Sequence, residues 1–301
     1  MSHTDSGTDT PAIPNTLTIA GMDPSGGAGI LADVKTMSAL GTYACAVVAA
    51  LTAQNTVAVT DISPVNPQFV RQQLDTLFAD VEIHAVKIGM LGQTGVIEVT
   101  ADRLGHFKPR HVVLDPVMVA KSGDLLLEQK AVGTLREQLL PQATLLTPNL
   151  PEAGVLLEMR AVETVREMRR VAERLRNLMT HNGHRWVLVK GGHLPGNETI
   201  DLLHDGDQMI ELPGHRIQTR NTHGTGCTLS AALAALLLPM MTAAGHDKAR
   251  SAGLIASASI IAPVIPPSIG FVIFGVAGGV SISKLFLAGI VPGLLLGAEI
   301  G

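Results

Sequence analysis

Thr16-Leu17-Thr18-Ile19-Ala20, followed by Gly21-Met22-Asp23-Pro24-Ser25-Gly26-Gly27-Ala28-Gly29, reads as a buried strand running into a glycine-rich turn. The first run is apolar and β-branched, the second is dense in Gly and Pro, and Ile30 to Leu40 continues with a helix-like pattern. The same strand, turn and helix unit repeats along the chain. Ala44 to Leu51 is a second buried-strand candidate, and Asn66 and Pro67 start a helix through about Ala79. Ala85 to Ile88 makes a strand and Gln93 to Leu104 a helix; His111 to Leu114 then enters Asp115-Pro116. Lys130 to Leu139 is helical, and Ala143 to Leu146 enters Thr147-Pro148-Asn149. A charged amphipathic helix over Val162 to Met179 precedes the strand Trp186 to Lys190 and the pair Gly191-Gly192. This spacing predicts the α/β class, with a mostly parallel central sheet covered by helices on both faces. Right-handed crossovers then bring the polar residues that end each strand to one edge.

The 301 residues fit one large α/β domain of up to about 250 residues plus an appendage. Lys and Arg total 22 against 26 for Asp and Glu, so no general positive surplus exists to attract phosphate backbones, and no nucleic acid partner is expected. Two cysteines, Cys45 and Cys227, read as separate cytosolic thiols rather than a disulfide framework, which points to a cytoplasmic protein. Residues 1–14 are polar, lack an apolar h-region, and read as a disordered N-terminal segment without a cleaved signal peptide. The far end differs: no charge occurs from Ser251 to Ser283, nor between Lys284 and Ala298. Such a run predicts an apolar helical tail long enough to enter a bilayer. Pro263, Pro266, Pro267 and Gly270 would interrupt a smooth helix, and aromatic residues, at 3%, supply no strong interfacial belt.

The strand ends carry the chemistry candidates, each with a structural alternative. The glycines of Asp23 to Gly29 allow a ligand to approach backbone closely, or simply build a tight turn, and Asp33 lies one to two turns into the following helix. The segment matches neither the P-loop nor the dinucleotide fingerprint. Gln54-Asn55 presents amides that could pair with a planar heterocycle or cap neighbouring backbone. Asn149 and Glu152, three apart at a helix start, fit either a reciprocal cap or a hydrated magnesium ion, and Asp115 adds a carboxylate at the same edge. Lys190 ends a strand beside two glycines and could hold a polyphosphate. In Asn221-Thr222-His223-Gly224-Thr225-Gly226-Cys227-Thr228, glycines and free amides at a helix start form an anion-binding nest. Cys227 stands where the helix dipole should lower a thiol pKa and permit proton abstraction; a buried structural cysteine is the alternative.

Taken in order, these motifs resemble the bacterial hydroxymethylpyrimidine and hydroxymethylpyrimidine phosphate kinases of thiamine biosynthesis, within the ribokinase-like superfamily. The resemblance runs from Leu17 to Gly21 and Asp23 to Ile30 through Ala53-Gln54-Asn55-Thr56, Lys87-Ile88-Gly89-Met90-Leu91 and Leu114-Asp115-Pro116-Val117-Met118. It continues in Thr147-Pro148-Asn149-Leu150-Pro151-Glu152-Ala153, Lys190-Gly191-Gly192-His193 and the run from Asn221 to Leu229, so it spans about residues 15–237. It implies ATP-dependent phosphorylation of 4-amino-5-hydroxymethyl-2-methylpyrimidine and of its monophosphate. Asp33, Gln54, Met90 and Val117 would line the pyrimidine site, Asn149 and Glu152 would organise Mg2+ through water, and Lys190, with Asp115, would serve the nucleotide phosphates. Gly224, Thr225 and Gly226 would form the anion hole, with Cys227 as base where relatives acting on other alcohols have Asp. Met22 and Leu31 depart from the family pattern, which commonly has a smaller polar residue and Gln there.

Residues 238–301 instead resemble a fragment of the large membrane subunit of tripartite ATP-independent periplasmic transporters. Ser259 to Ser268 and Lys284 to Gly293 carry that likeness, and the fragment is far shorter than a transporter needs. The chain therefore reads as a kinase domain, C-terminally truncated and joined to this apolar segment. The alternatives are a pyridoxal-type kinase and an inactive fusion associated with a membrane through its tail; the reading also leaves room for a homodimer of the kinase domain.

Overall fold

The computed structural model of the chain describes residues 13–118, 127, 129–160, 162–180, 185–196, 198–216 and 223–237. Strand β1 (Asn15–Met22), helix α1 (Gly29–Ala39) and strand β2 (Tyr43–Gln54) open the fold, and β3 (Val59–Pro64) turns back beside β2. Then follow α2 (Pro67–Phe78), β4 (Ala85–Ile88), α3 (Thr94–Phe107) and β5 (His111–Leu114). Helix α4 (Gln129–Thr134) runs on through wider and tighter turns to Gln142, and β6 (Leu145–Leu146), α5 (Leu150–Leu156), α6 (Val165–Leu178) and β7 (Trp186–Val189) come next. The hairpin β8 (Glu198–His204) and β9 (Met209–His215) precedes α7 (Thr225–Ala232), which continues as a wider turn over Leu233–Leu237.

The described strands form one sheet in the order β3-β2-β1-β4-β5-β6-β7-β8-β9. Its centre, from β2 to β7, is parallel, while β3 on one side and β8 and β9 on the other are antiparallel. The expected sheet is therefore present with antiparallel borders. Strands β4 and β5 are buried at every position, as sheet covered on both faces requires. Alternate side chains feed two cores. Val112, Leu114, Leu146, Val187 and Val189 pack with Val70, Leu74, Ile97, Leu139 and Met168 on one face. Val113, Leu145 and Leu188 pack with Met37, Ala231, Leu233 and Ala234 on the other.

The predicted elements differ from the observed ones chiefly at their ends. Strands β3, β8 and β9 were not foreseen: β3 and β9 lack the buried apolar run that marked the central strands, and in β8 it is confined to Leu202 and Leu203. The expected fold with an apolar helical tail is corrected to this extent: among the described residues no helix is long and apolar enough to cross a membrane, so none of them supplies such a tail. The last described turn ends at Leu237, so the expected truncation and tail over 238–301 lie outside the described residues. The expected N-terminal segment 1–14 does too, except for Ile13 and Pro14.

Candidate active site

Strand β2 lies on one side of β1 and β4 on the other, so the chain reverses its direction of travel across the sheet at β1. Outside the carboxyl ends of strands at such a point, open α/β sheets bind ligands. Three expected pocket residues stand there. The Thr52 hydroxyl lies 2.9 Å from the Met22 carbonyl and 3.0 Å from Gln54 Oε1, tying the ends of β1 and β2 together. A Cβ on Gly21 would lie 2.6 Å from Met90 Cε, so the glycine lets that side chain cross the end of β1. Val117 is half-buried, just after β5. The capping alternative describes Asn55, whose Oδ1 accepts the amides of Val57 and Ala58.

Asp33 is placed differently from the expectation that it lines the pocket. It is wholly buried, its Oδ2 accepting from Thr18 Oγ1 at 2.6 Å and Lys87 Nζ at 2.8 Å. Its Oδ1 is buried with no partner among the described residues. Burial raises the Asp33 pKa against the opposing pull of Lys87. For Lys87, burial works to lower the pKa, but Asp33, with Cys227 and Asp115 beyond it, holds the ammonium above its usual range. Lys87 was quoted in the motif without a role, although a lysine inside the apolar strand Ala85–Ile88 was the available signal.

On the other side of the switch point, β5 delivers Asp115 into a clasp of three donors. Lys190 Nζ lies 2.9 Å and Thr147 Oγ1 3.1 Å from Oδ1, and Ser230 Oγ lies 3.3 Å from Oδ2. Burial works to raise the Asp115 pKa, but Lys190 and Lys87 outweigh it and hold the carboxyl below its usual range. Asn149 and Glu152 form the full reciprocal cap of α5: Glu152 Oε2 accepts the Asn149 amide at 2.8 Å and Asn149 Oδ1 accepts the Glu152 amide at 2.9 Å. Burial pushes the Glu152 carboxyl up to about 7, with Lys190 opposing and Asp115 adding to the rise. Among the described residues no three His, Cys, Asp or Glu side chains converge to hold a metal directly. Two acidic side chains beside Lys190 suit a cation that keeps its own waters.

The first turn of α7 lies between these halves. A Cβ on Gly226 would sit 3.3 Å from Lys190 Nζ and 3.6 Å from Asp115 Oδ2. At its other end, Gly224 is left-handed (φ +75°), and a Cβ there would overlap the Gly27 carbonyl oxygen at 1.7 Å. Gly224, Thr225 and Gly226 thus form a backbone turn with small residues at both contacts. Asn221 and Thr222 of this motif lie outside the described residues. The expectation that the helix dipole lowers the Cys227 pKa is corrected: burial, with the carboxylates Asp115 and Asp33 nearby, pushes the thiol up. Lys87 and a hydrogen bond from the Gly29 amide pull the other way without prevailing.

The family model of phosphomethylpyrimidine kinase matches residues 23–247. A model of the tripartite ATP-independent periplasmic transporter DctM component matches residues 222–300. The chain is 54% identical over 224 residues to the hydroxymethylpyrimidine/phosphomethylpyrimidine kinase of Escherichia coli, a match covering 74% of this chain and 82% of that one. It is 50% identical over 236 residues to the Rhizobium meliloti protein of the same name, covering 77% and 87%. Among solved structures, phosphomethylpyrimidine kinase from Clostridium difficile superposes with a TM-score of 0.68 at 37% identity, over 81% of this chain and 96% of that one. An ADP complex of Bacillus subtilis pyridoxal kinase superposes with a TM-score of 0.72 at 34% identity, over 84% and 92%. With three quarters of its length matched by one family model and by relatives of half-identical sequence, this chain belongs to the phosphomethylpyrimidine kinase family.

Proposed function

We propose that the chain transfers the γ-phosphoryl group of ATP to the primary alcohol of 4-amino-5-hydroxymethyl-2-methylpyrimidine, and then to the resulting monophosphate, as a step of thiamine biosynthesis. The observation that carries the reading is the position of the α7 turn: Gly224 meets the Gly27 loop on the β1 side, and Gly226 meets Lys190 and Asp115 on the other. Donor phosphates and acceptor alcohol would meet there. Residues 15–237 are the unit that does this work.

Phosphoryl transfer asks for positioning and charge stabilisation more than for covalent chemistry. Lys190, kept cationic by Asp115 and Glu152, would face the nucleotide phosphates, and the amides of Gly224 to Cys227 would receive the transferring group. Glu152 and Asp115, with Asn149 fixing Glu152, would hold a hydrated Mg2+ through its waters, and the ion would supply neutralisation of phosphate charge. Gln54, Met90 and Val117 would hold the pyrimidine ring. Asp33, behind them, bears on the site through Lys87. Cys227 would take the alcohol proton late, as the new P–O bond forms. Its raised pKa makes the thiolate scarce but strongly basic. A monophosphate acceptor is already mostly ionised at neutral pH, so the second transfer leans less on this residue.

Steady-state rates with ATP, comparing the aminopyrimidine alcohol with pyridoxal, test the reading. The specificity constant is expected to favour the pyrimidine. An equal or larger value for pyridoxal overturns it in favour of a pyridoxal-type kinase.

A further inference from the structure

Asp23 and His223 stand two hundred positions apart in sequence, yet His223 Nε2 lies 2.8 Å from Asp23 Oδ2. Asp23 is almost completely buried and already organises the glycine loop between β1 and α1. Its carboxylate accepts the Ser25 amide and hydroxyl, both at 2.8 Å, and the Ala28 amide at 3.0 Å; its carbonyl accepts the Gly26 amide. A carboxylate with three local donors would complete the loop by itself. The fourth donor comes from elsewhere: His223 immediately precedes Gly224, the left-handed residue that starts α7. Around this bond the two segments touch backbone to backbone. A Cβ on Gly27 would lie 2.5 Å from His223 Cδ2, and one on Gly224 would overlap the Gly27 oxygen. Burial works to raise the Asp23 pKa, but the bonds from His223, Ser25 and Ala28 outweigh it, so the partner of the imidazole is an anion.

We propose that His223 is a positioning residue: its bond to Asp23 locks the acceptor-side glycine loop onto the first turn of α7, and so sets the distance between the acceptor alcohol and the anion hole. The proposal rests on the kinase reading above for its consequence, and on the geometry alone for the lock. Binding either substrate does not require the lock; transfer between them does, because a misplacement of about 1 Å costs about a hundredfold in rate. Loosening it penalises the alcohol, which must be held by the β1 side. Attack by water is penalised less, since water reaches the γ-phosphorus unassisted: its oxygen bonds the γ-phosphorus as the bond to the bridging oxygen of ADP breaks, its proton goes to solvent, and ADP and phosphate result.

The test uses the full chain with His223→Ala and His223→Gln, the glutamine keeping a donor near the Nε2 position. The ratio of pyrimidine phosphorylation to ATP hydrolysis is expected to fall about tenfold or more in the alanine variant and to return to within about threefold of the parent in the glutamine variant. Amide exchange over Gly26 to Ala28 is expected to rise about tenfold in the alanine variant, with Val86 to Ile88 unchanged. A ratio that stays constant while both rates fall together marks a merely structural residue and overturns the proposal, as does unchanged exchange in the glycine loop. If the parent chain phosphorylates no pyrimidine, the kinase reading falls, and the exchange comparison alone then upholds or overturns the lock.

Discussion

Lys87 and Asp33 are both completely shielded from solvent and 2.8 Å apart, a pair whose members are costly to bury separately. Lys87→Met strands a carboxylate whose other oxygen has no partner among the described residues. We expect a loss of about 3–5 kcal/mol in urea unfolding, most of it regained by the double change Lys87→Met with Asp33→Leu. A double variant no better than the single would show that the pair is not what the sheet depends on. The thiol nearby gives a second prediction. Because burial and nearby carboxylates raise the Cys227 pKa, iodoacetamide at pH 8 should alkylate it more slowly than free cysteine, with the rate still climbing above pH 9. Mass mapping of the labelled peptide measures this, and faster labelling would restore the dipole argument. Cys227→Ala should cut transfer to the alcohol by about a hundredfold while hurting transfer to the monophosphate less; equal losses in the two steady-state assays would assign the residue to packing. At this scale the sequence was legible where a residue acts within its own motif, as with Asn149 and Glu152. It was not where the partner lies far along the chain: nothing local couples Asp33 to Lys87 or Asp23 to His223.

The central elements were readable because a parallel strand covered on both faces is mostly apolar, as Ala85–Ile88 is apart from Lys87 and His111–Leu114 is apart from its first residue. The border strands hide for the converse reason. Strand β3 keeps Thr60, Asp61, Ser63 and Pro64 exposed, and β9 contains Pro213 and Gly214, residues that read as a loop and are tolerated in a strand at the sheet's edge. These border elements nevertheless shape the site. Arg216, just beyond β9, donates to the carbonyls of Gly192, Leu194 and Gly196, fastening the loop that follows Lys190. Gly191 allows the close passage there, since a Cβ would lie 1.9 Å from the Ile200 oxygen. Arg216→Ala is expected to raise amide exchange across residues 192–196 by about tenfold without changing β4 or β5. Exchange measured by mass spectrometry checks it, and an unaltered loop would show that the three bonds hold nothing in place.

Among the described residues, the apolar side chains divide unequally between the two sides of the sheet, and the smaller core is the one that carries α7. Leu233, Ala234 and Ala235 at the end of that helical segment pack with Val113, Leu145, Leu188 and Met37, while Gly224 to Cys227 at its beginning meet the glycine loop and Lys190. One helical segment therefore links the packing of a core to the placement of the proposed anion hole. Its support comes from side chains spread over more than a hundred positions, which is why the glycine turn was visible as a motif but its foundation was not. Leu233, 1% exposed, is the largest of the three α7 anchors and the place to test this link. Leu233→Ala should cost about 2–5 kcal/mol through the cavity it leaves. The urea midpoint should fall while the slope of the transition stays unchanged, since the same surface is exposed on unfolding. The still folded protein should also transfer phosphate more slowly at saturating ATP and pyrimidine, because the turn has shifted on its footing. A variant that loses stability yet keeps the full rate per folded molecule would mean that the turn is held by the glycine-loop and Lys190 contacts alone.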